Sequence, residues 1–306
     1  DFCLSRGLGD VYKRQSQQIV NGLFTGSIYA LFAVGYTLVF GILDILNLAH
    51  QAVFMLGAFV ALELVLHLKL EIFLALALAM LAAGGIGIVL NYVAFKPLRR
   101  RPDTYFSGMI SSIAMATIFE AIALRLWGAR TSRFPLDTFP DHRFTIGSAS
   151  ITLLQIVIIV LSLVLMLGLQ WMVQQTRLGK AMRAVAENER TARILGIDVE
   201  RVIAISFMIS SALGAAAGVL YALQFNTVSP DMGQAVELKG LSVIILGGLG
   251  SIPGAVVGGY LIGLAEVSTI ANVGSSYKDA AAFIVLFVIL LVRPRGLLGR
   301  KAVREA

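Results

Sequence analysis

Few residues in this 306-residue chain are of types that do chemistry, and several of those stand inside or beside apolar sequence. Asn47, His50 and Gln51 fall in Asp44-Ile45-Leu46-Asn47-Leu48-Ala49-His50-Gln51, a polar interruption between one apolar run and the short apolar segment 51–66. Glu63, Glu120 and Glu266 sit within other apolar runs, with Arg125 near the end of one. An ionisable group in such surroundings is costly unless shielded, and it commonly marks a substrate or proton path. A proton-coupled carrier would use such acids, whereas Glu63, Glu120 and Arg125 equally suit the outer interface, where long side chains reach water. His50 by itself reads as a hydrogen-bonded interfacial residue before it reads as a ligand. Cys3 is the only cysteine, so no intramolecular disulfide and no cysteine-based metal site can be built from this chain. No cofactor or metal is expected.

The surroundings of these residues set the class. Charged side chains make up 14% of the chain and apolar ones 58%, with a mean hydropathy of +0.84. Soluble domains carry about 25% charged residues, so a soluble enzyme is excluded as the first reading. The net charge of +7 would suggest nucleic acid in a soluble protein. Here the Lys and Arg cluster in connecting loops, so basicity reports membrane orientation, and no nucleic-acid partner is expected.

Apolar segments run at 19–43, 51–66, 70–95, 105–128, 151–173, 202–224, 240–271 and 280–293. Most can cross ~30 Å of hydrocarbon as helices. The expected fold is an all-α polytopic membrane protein of about eight transmembrane segments. The loop Lys96-Pro97-Leu98-Arg99-Arg100-Arg101, the segment 177–201 and the tail after Leu291 are rich in Lys and Arg and are expected inside. The connection 129–150, with Asp137 and Asp141 among its charges, is expected outside as a solvated loop or a docking surface. Residues 1–17 are polar, include Gly7-Leu8-Gly9-Asp10, and read as a leader foreign to the fold. Residues 18–302 read as a single membrane domain, and 303–306 as the end of a cytoplasmic tail.

Parity requires the 240–271 segment to enter and return. Its middle reads Gly247-Gly248-Leu249-Gly250-Ser251-Ile252-Pro253-Gly254, where each Gly disfavours helix by ~1 kcal/mol and the Pro by ~3 kcal/mol. A broken or re-entrant Gly-rich hairpin is therefore expected. Irregular backbone at membrane depth is tolerated only beside protein or a water-filled cavity, which makes Gly247, Gly248, Gly250, Ser251 and Pro253 candidate wall residues of a pathway. The plain alternative is a tight loop between two short helices. Asn47, His50 and Gln51 are candidates on the same argument, because paired interruptions in two halves point to a transport site. Glycines at Gly214-x-x-x-Gly218 and Gly254-x-x-x-Gly258-Gly259 predict close helix contacts without choosing a function.

Between Leu178 and Leu195 the chain leaves the membrane yet keeps Leu178, Met182, Val185 and Ala192 at near-helical spacing. Arg183, Glu187, Arg190 and Arg193 lie largely elsewhere on the helix, and Gly196 follows as a stop. This predicts a short amphipathic helix or helix pair over 177–201, facing either a protein groove or the lipid surface.

The string Arg183-Ala184-Val185-Ala186-Glu187-Asn188 through Ala192-x-x-Leu195-Gly196-Ile197-Asp198 resembles the cytoplasmic loop of permease subunits in bacterial ABC importers. With Asn47-Leu48-Ala49-His50 and Leu246-Gly247-Gly248-Leu249-Gly250-Ser251-Ile252-Pro253-Gly254-Ala255, the chain resembles the branched-chain amino-acid permease family, LivH type, from about Gln18 to Ala302. That family usually carries Gly after the His, where this chain has Gln51.

The resemblance implies a multi-pass subunit of the bacterial inner membrane that pairs with a homologous second permease, sits on two ATP-binding subunits and receives substrate from a periplasmic binding protein. Arg183, Ala184, Ala186, Glu187, Arg190 and Gly196 would then couple to the ATPases. Consistent with that division of labour, the chain lacks a Gly-x4-Gly-Lys-[Ser/Thr] loop and is expected not to be an enzyme. The implied cargo is a branched-chain amino acid, with urea or a short amide as the alternative within the family. A secondary carrier or channel, and a membrane assembly subunit that moves nothing, are the rival classes.

Overall fold

A computed structural model describes residues 2–99, 104–135, 138–140, 142–146 and 149–299. Arg100, Arg101, Asp137, Asp141 and the tail from Arg300, including 303–306, lie outside the described residues. The chain folds as α1 (Phe2–Leu43), α2 (His50–Leu68), α3 (Ile72–Leu90, extended by a π-helical turn Asn91–Phe95) and α4 (Thr104–Trp127). A short hairpin of β1 (Arg143–Ile146) and β2 (Ala149–Thr152) follows, antiparallel with Arg143 opposite Thr152. Then come α5 (Leu153–Gln175), α6 (Arg177–Glu187), α7 (Glu189–Ile194), α8 (Val199–Phe225), α9 (Met232–Gly247), α10 (Ile252–Asn272) and α11 (Lys278–Val292).

Eight helices among the described residues are long and apolar enough to cross a membrane, and β1–β2 is the only sheet there. The all-α polytopic expectation holds because hydrocarbon leaves backbone groups no partner but their own helix. Residues 2–17 are helical and continuous with α1; no proline interrupts them, so a helix already nucleated propagates through them. One expectation changes. The segment expected to begin at 240 begins at Met232, because its polar residues find partners on neighbouring helices: Gln234 Nε2 donates to Glu120 Oε2 at 3.1 Å, and Lys239 pairs with Glu266.

The spans of α1 and α8 are largely buried and form the middle of the bundle, joined where Ser210 Oγ donates to the Gly35 carbonyl at 2.7 Å. Helix α10 lies along α1, with Gly259 and Gly263 against the backbones of Ala30 and Gly26. Removing Cβ atoms at such contacts lets the helix axes close up, which supplies the packing that drives helix association in lipid. By contrast α4, α5 and α11 turn large apolar side chains outward, among them Phe106, Leu167 and Phe287.

Lys96, α6 and α7 stand at the end of the bundle that its Lys and Arg assign to the cytoplasm; on that assignment α1 runs inward and α8 outward. Each of these two helices ends in a left-handed residue, Asp44 (φ 55°) and Asn226 (φ 45°), and in each half the next helix starts six positions on, at His50 and Met232. After Asp44 the chain turns back along α1, because His50 lies against Gly35, eight residues before the end of that helix. Eight residues of helix are ~12 Å, so α2 starts well inside the membrane. Its first turn meets that of α9, where Gly233 faces the backbone of Gln51. Two inverted halves thus place irregular segments 44–49 and 226–231 on either side of a helix-start contact. The interruption that mirrors Asp44–Ala49 is Asn226–Asp231, not the Gly-rich string.

Candidate functional site

The Gly-rich string forms the turn of a broken hairpin, α9–α10. Its shape follows from residue type: Gly248 has φ 104° and Gly250 φ 76°, values that L side chains rarely adopt. Ser251 then caps α10 by accepting from Gly254 N at 3.2 Å, and Pro253 occupies the first turn, where its missing N–H costs nothing. The tail clasps this turn from below. Leu297 N donates to the Leu246 carbonyl at 2.8 Å and Leu298 N to that of Gly247 at 2.9 Å. The break therefore sits at the cytoplasmic end of the bundle, not halfway across it.

Directly beside it lies α6. Thr176 closes α5 by donating to the Met172 carbonyl at 2.6 Å and opens α6 by accepting from Gly179 N at 3.1 Å, so one hydroxyl makes the corner. Met182 and Val185 bury the apolar face of α6 in protein, against α5, α1 and α8. The apolar face of α6 is thus covered by helices of this same chain. Arg183 turns inward: its guanidinium donates to the carbonyls of Val173 and Gln174 at the end of α5, which ties α6 to α5 and places a cation at the negative end of that helix. Ala184 and Ala186 are half-buried, while Glu187 and Arg190 are exposed. Asn188 caps α7 from the Thr191 N–H at 2.9 Å, and Gly196, at φ 83°, makes the turn into α8.

A cavity of about 370 Å³ separates α6 from the α9–α10 turn. Arg183 and Ala186 line one side, Gly250, Ser251 and Pro253 the other, with Gly41 of α1 and Gln174 of α5 closing it. The structure thus brings together two groups that the sequence offered separately. At the end of α7, Ile194 and Leu195 are 79% and 73% exposed, an apolar pair left uncovered among the described residues.

Asn47, His50 and Gln51 are elsewhere. Asn47 is buried; His50 is 1% exposed and its ring packs on Phe32 and Tyr36 at centroid distances of 4.8 and 5.6 Å. Ser112 Oγ accepts from Leu48 N at 3.1 Å, so the irregular backbone before His50 is partnered by α4. His50 stands at the crossing of α1, α2 and α8, and none of the three residues lines the cavity beside α6 or the one at the outer end. Among the acids, Glu63 accepts from Trp127 Nε1 at 2.7 Å and meets His67 at 3.0 Å near the outer surface, as an interfacial residue would.

At the outer end a cavity of about 710 Å³ opens between α1, α5, α8, α9 and α10. On its lining, Lys239 and Glu266 are 8% and 5% exposed and pair at 2.7 Å. Tyr29 Oη donates to the other oxygen of Glu266 at 2.8 Å and accepts from Lys239 Nζ at 3.1 Å. Lys239 stands one residue before the apolar segment expected at 240–271. The signal for it was Glu266, an acid inside an apolar run that needs a cation within reach.

Residues 18–292 match the family described as branched-chain amino acid transport system, permease component. The chain is 36% identical to the high-affinity branched-chain amino acid transport system permease protein BraD of Pseudomonas aeruginosa, over an alignment of 302 positions covering 94% of this chain and 97% of BraD. It is 35% identical to the corresponding LivH of Escherichia coli strain K12, again with 94% and 97% covered. A probable branched-chain amino acid transport permease protein LivH of Methanocaldococcus jannaschii is 28% identical, with 89% of each chain covered.

Proposed function

This chain belongs to the branched-chain amino acid transport permease family, and on that premise we propose that it carries branched-chain amino acids inward across the bacterial inner membrane as the membrane subunit of an ABC importer. It works with a homologous second permease and two ATP-binding subunits, takes its cargo from a periplasmic binding protein, and binds no ATP itself. One observation supports the coupling part of this reading: α6 has its apolar face packed in the bundle, Glu187 and, just after it, Arg190 exposed, and its inner side across a cavity from the α9–α10 turn.

A push on the charged face has a defined route. Glu187 and Arg190 meet the ATPase at the rim, and Ile194 and Leu195 supply apolar anchorage. Through the Arg183 contacts, α6 moves α5 with it. Across the cavity the displaced helix bears on Gly250–Pro253, the turn joining α9 to α10, and α10 lies along α1. ATPase closure would in this way bias the bundle between two packings, which is what coupling by differential contacts requires.

The test is reconstitution. Proteoliposomes holding this chain alone should take up no leucine; adding the second permease, the ATPases, loaded binding protein and ATP should start uptake. Uptake by the chain alone would place it among carriers or channels. Uptake of urea but not leucine by the full assembly would replace the cargo and keep the class.

A further inference from the structure

We propose that Lys239 and Glu266 form a reading site for the charged backbone of an amino acid in the outer cavity, exchanging their mutual contact for contacts with the cargo. The proposal rests on the amino-acid reading above and adds a place and a selection rule to it.

A buried ion pair is not explained by stability. Withdrawing two charges from water costs about as much as their attraction returns, and apolar replacements of similar volume are often as stable or more so. Ionisable residues inside a membrane bundle accordingly point to function by default. This pair also has the surroundings that a site needs. It lines a cavity of about 710 Å³ whose wall also carries Asn21, Gln155, Gln224 and Thr227, at the outer end where cargo would arrive. Cavities of about 300–1,000 Å³ hold small molecules with a few placed polar groups against an apolar wall. Phe24, Met232, Val267 and Ile270 supply such a wall here.

The charge count favours partner exchange. Lys239 Nζ lies 2.7 Å from Glu266 and 3.2 Å from Asp279, so one ammonium serves two carboxylates. A zwitterion entering the cavity offers its carboxylate to Lys239 and its ammonium to Glu266. One internal pair is lost and two are made, while Tyr29 keeps its hydrogen bond to Glu266 and Asp279 remains beside Lys239. A neutral amide of the same shape would break the pair and return no charge to either member. The site therefore takes α-amino acids and rejects their uncharged isosteres, before any ATP is hydrolysed.

The experiment uses the assembled transporter in membrane vesicles without ATP, carrying Cys3→Ser and Thr227→Cys so that a thiol sits on the cavity lining. Leucine slows alkylation of that thiol about threefold at twice its dissociation constant, since the free fraction falls as 1 + [L]/Kd. Isovaleramide, with the same branched side chain and no charge, leaves the rate unchanged. Lys239→Met with Glu266→Met removes both charges at similar volume, keeps the alkylation rate without leucine, and abolishes protection. Glu266→Gln, which keeps the shape and the Tyr29 contact, also abolishes protection and covers the case in which the double variant does not assemble. Protection by isovaleramide equal to that by leucine, no protection by either, or protection unaffected in both variants would each overturn the proposal. ATP-driven leucine uptake by the same assembly reports separately on the importer reading, so that reading can stand while this one falls.

Discussion

The imidazole of His50 stands in the space that a side chain on Gly214 would need: a Cβ there would lie 2.7 Å from His50 Cε1. Gly35 leaves room on the opposite side, where a Cβ would lie 3.2 Å from the same ring. The first residue of α2 is thus held between α1 and α8 by two absent side chains. That arrangement lets a helix begin inside the membrane with its irregular approach sealed by protein.

Gly214→Ala is expected to lower stability by about 1–3 kcal/mol, because the ring and two helix backbones cannot all give way. Gly168→Ala in α5, with no atom within 4 Å of the added Cβ, should be neutral or slightly stabilising. Thermal unfolding in detergent compares the two; equal midpoints would mean that His50 has slack the geometry denies.

At the α9–α10 turn, Gly248→Ala places a side chain at φ 104°, with its Cβ 2.5 Å from Gly299 N. The expected loss is at least ~1–3 kcal/mol from backbone strain alone. Ser251→Ala, which removes only the α10 cap, should cost about 0.5–2 kcal/mol. A Gly248→Ala midpoint as high as that of the wild type would show that the tail does not clasp the turn as described.

Lys96 and Glu200 meet at 2.6 Å, with side chains 37% and 38% exposed. Pairs this open contribute little, so Glu200→Gln should lower the thermal midpoint only slightly and leave uptake intact. A larger loss would assign that pair a part in joining α3 to the start of α8.

If the cytoplasmic tip anchors the ATPase, Leu195→Ser should weaken its binding by about thirtyfold or more, the ~2 kcal/mol of an interface anchor. Because Leu195 is 73% exposed, unfolding should not change. Pull-down titration with the ATPase subunit reads the effect; unchanged affinity would move the anchor elsewhere on α6–α7.

The sidedness of α6 is open to labelling. In a Cys3→Ser background, Glu187→Cys should react with a membrane-impermeant thiol reagent in inside-out vesicles and stay unreactive in intact cells. Reaction in intact cells would invert the bundle and leave no ATPase within reach.

Local pattern alone settled much of this. Apolar runs of bilayer length require helices, since hydrocarbon offers the backbone no other partner. Lys and Arg in 96–101 and 177–201 assign those loops to the cytoplasm by the charge rule. The 3.6-residue spacing of Met182, Val185 and their neighbours made α6 amphipathic before any contact was known. The same applies to the turn at Gly247–Gly254, whose residue types disfavour helix wherever they stand.

Other features depended on what the chain brings together. Lys239 and Glu266 are 27 positions apart on different helices, and Tyr29 reaches them from 210 and 237 positions away, so no window along the chain contains the cluster. Arg183 could have faced the cytoplasm by helical phase; only the end of α5 beside it turns the guanidinium inward. Likewise Asn226–Asp231 looks like an ordinary outer loop in sequence. It becomes the counterpart of Asp44–Ala49 only when α8 packs against α1 and the two helix starts touch. Hydropathy and charge report where each residue stands relative to water; which side chains meet is decided by helix packing, a property of pairs of distant segments.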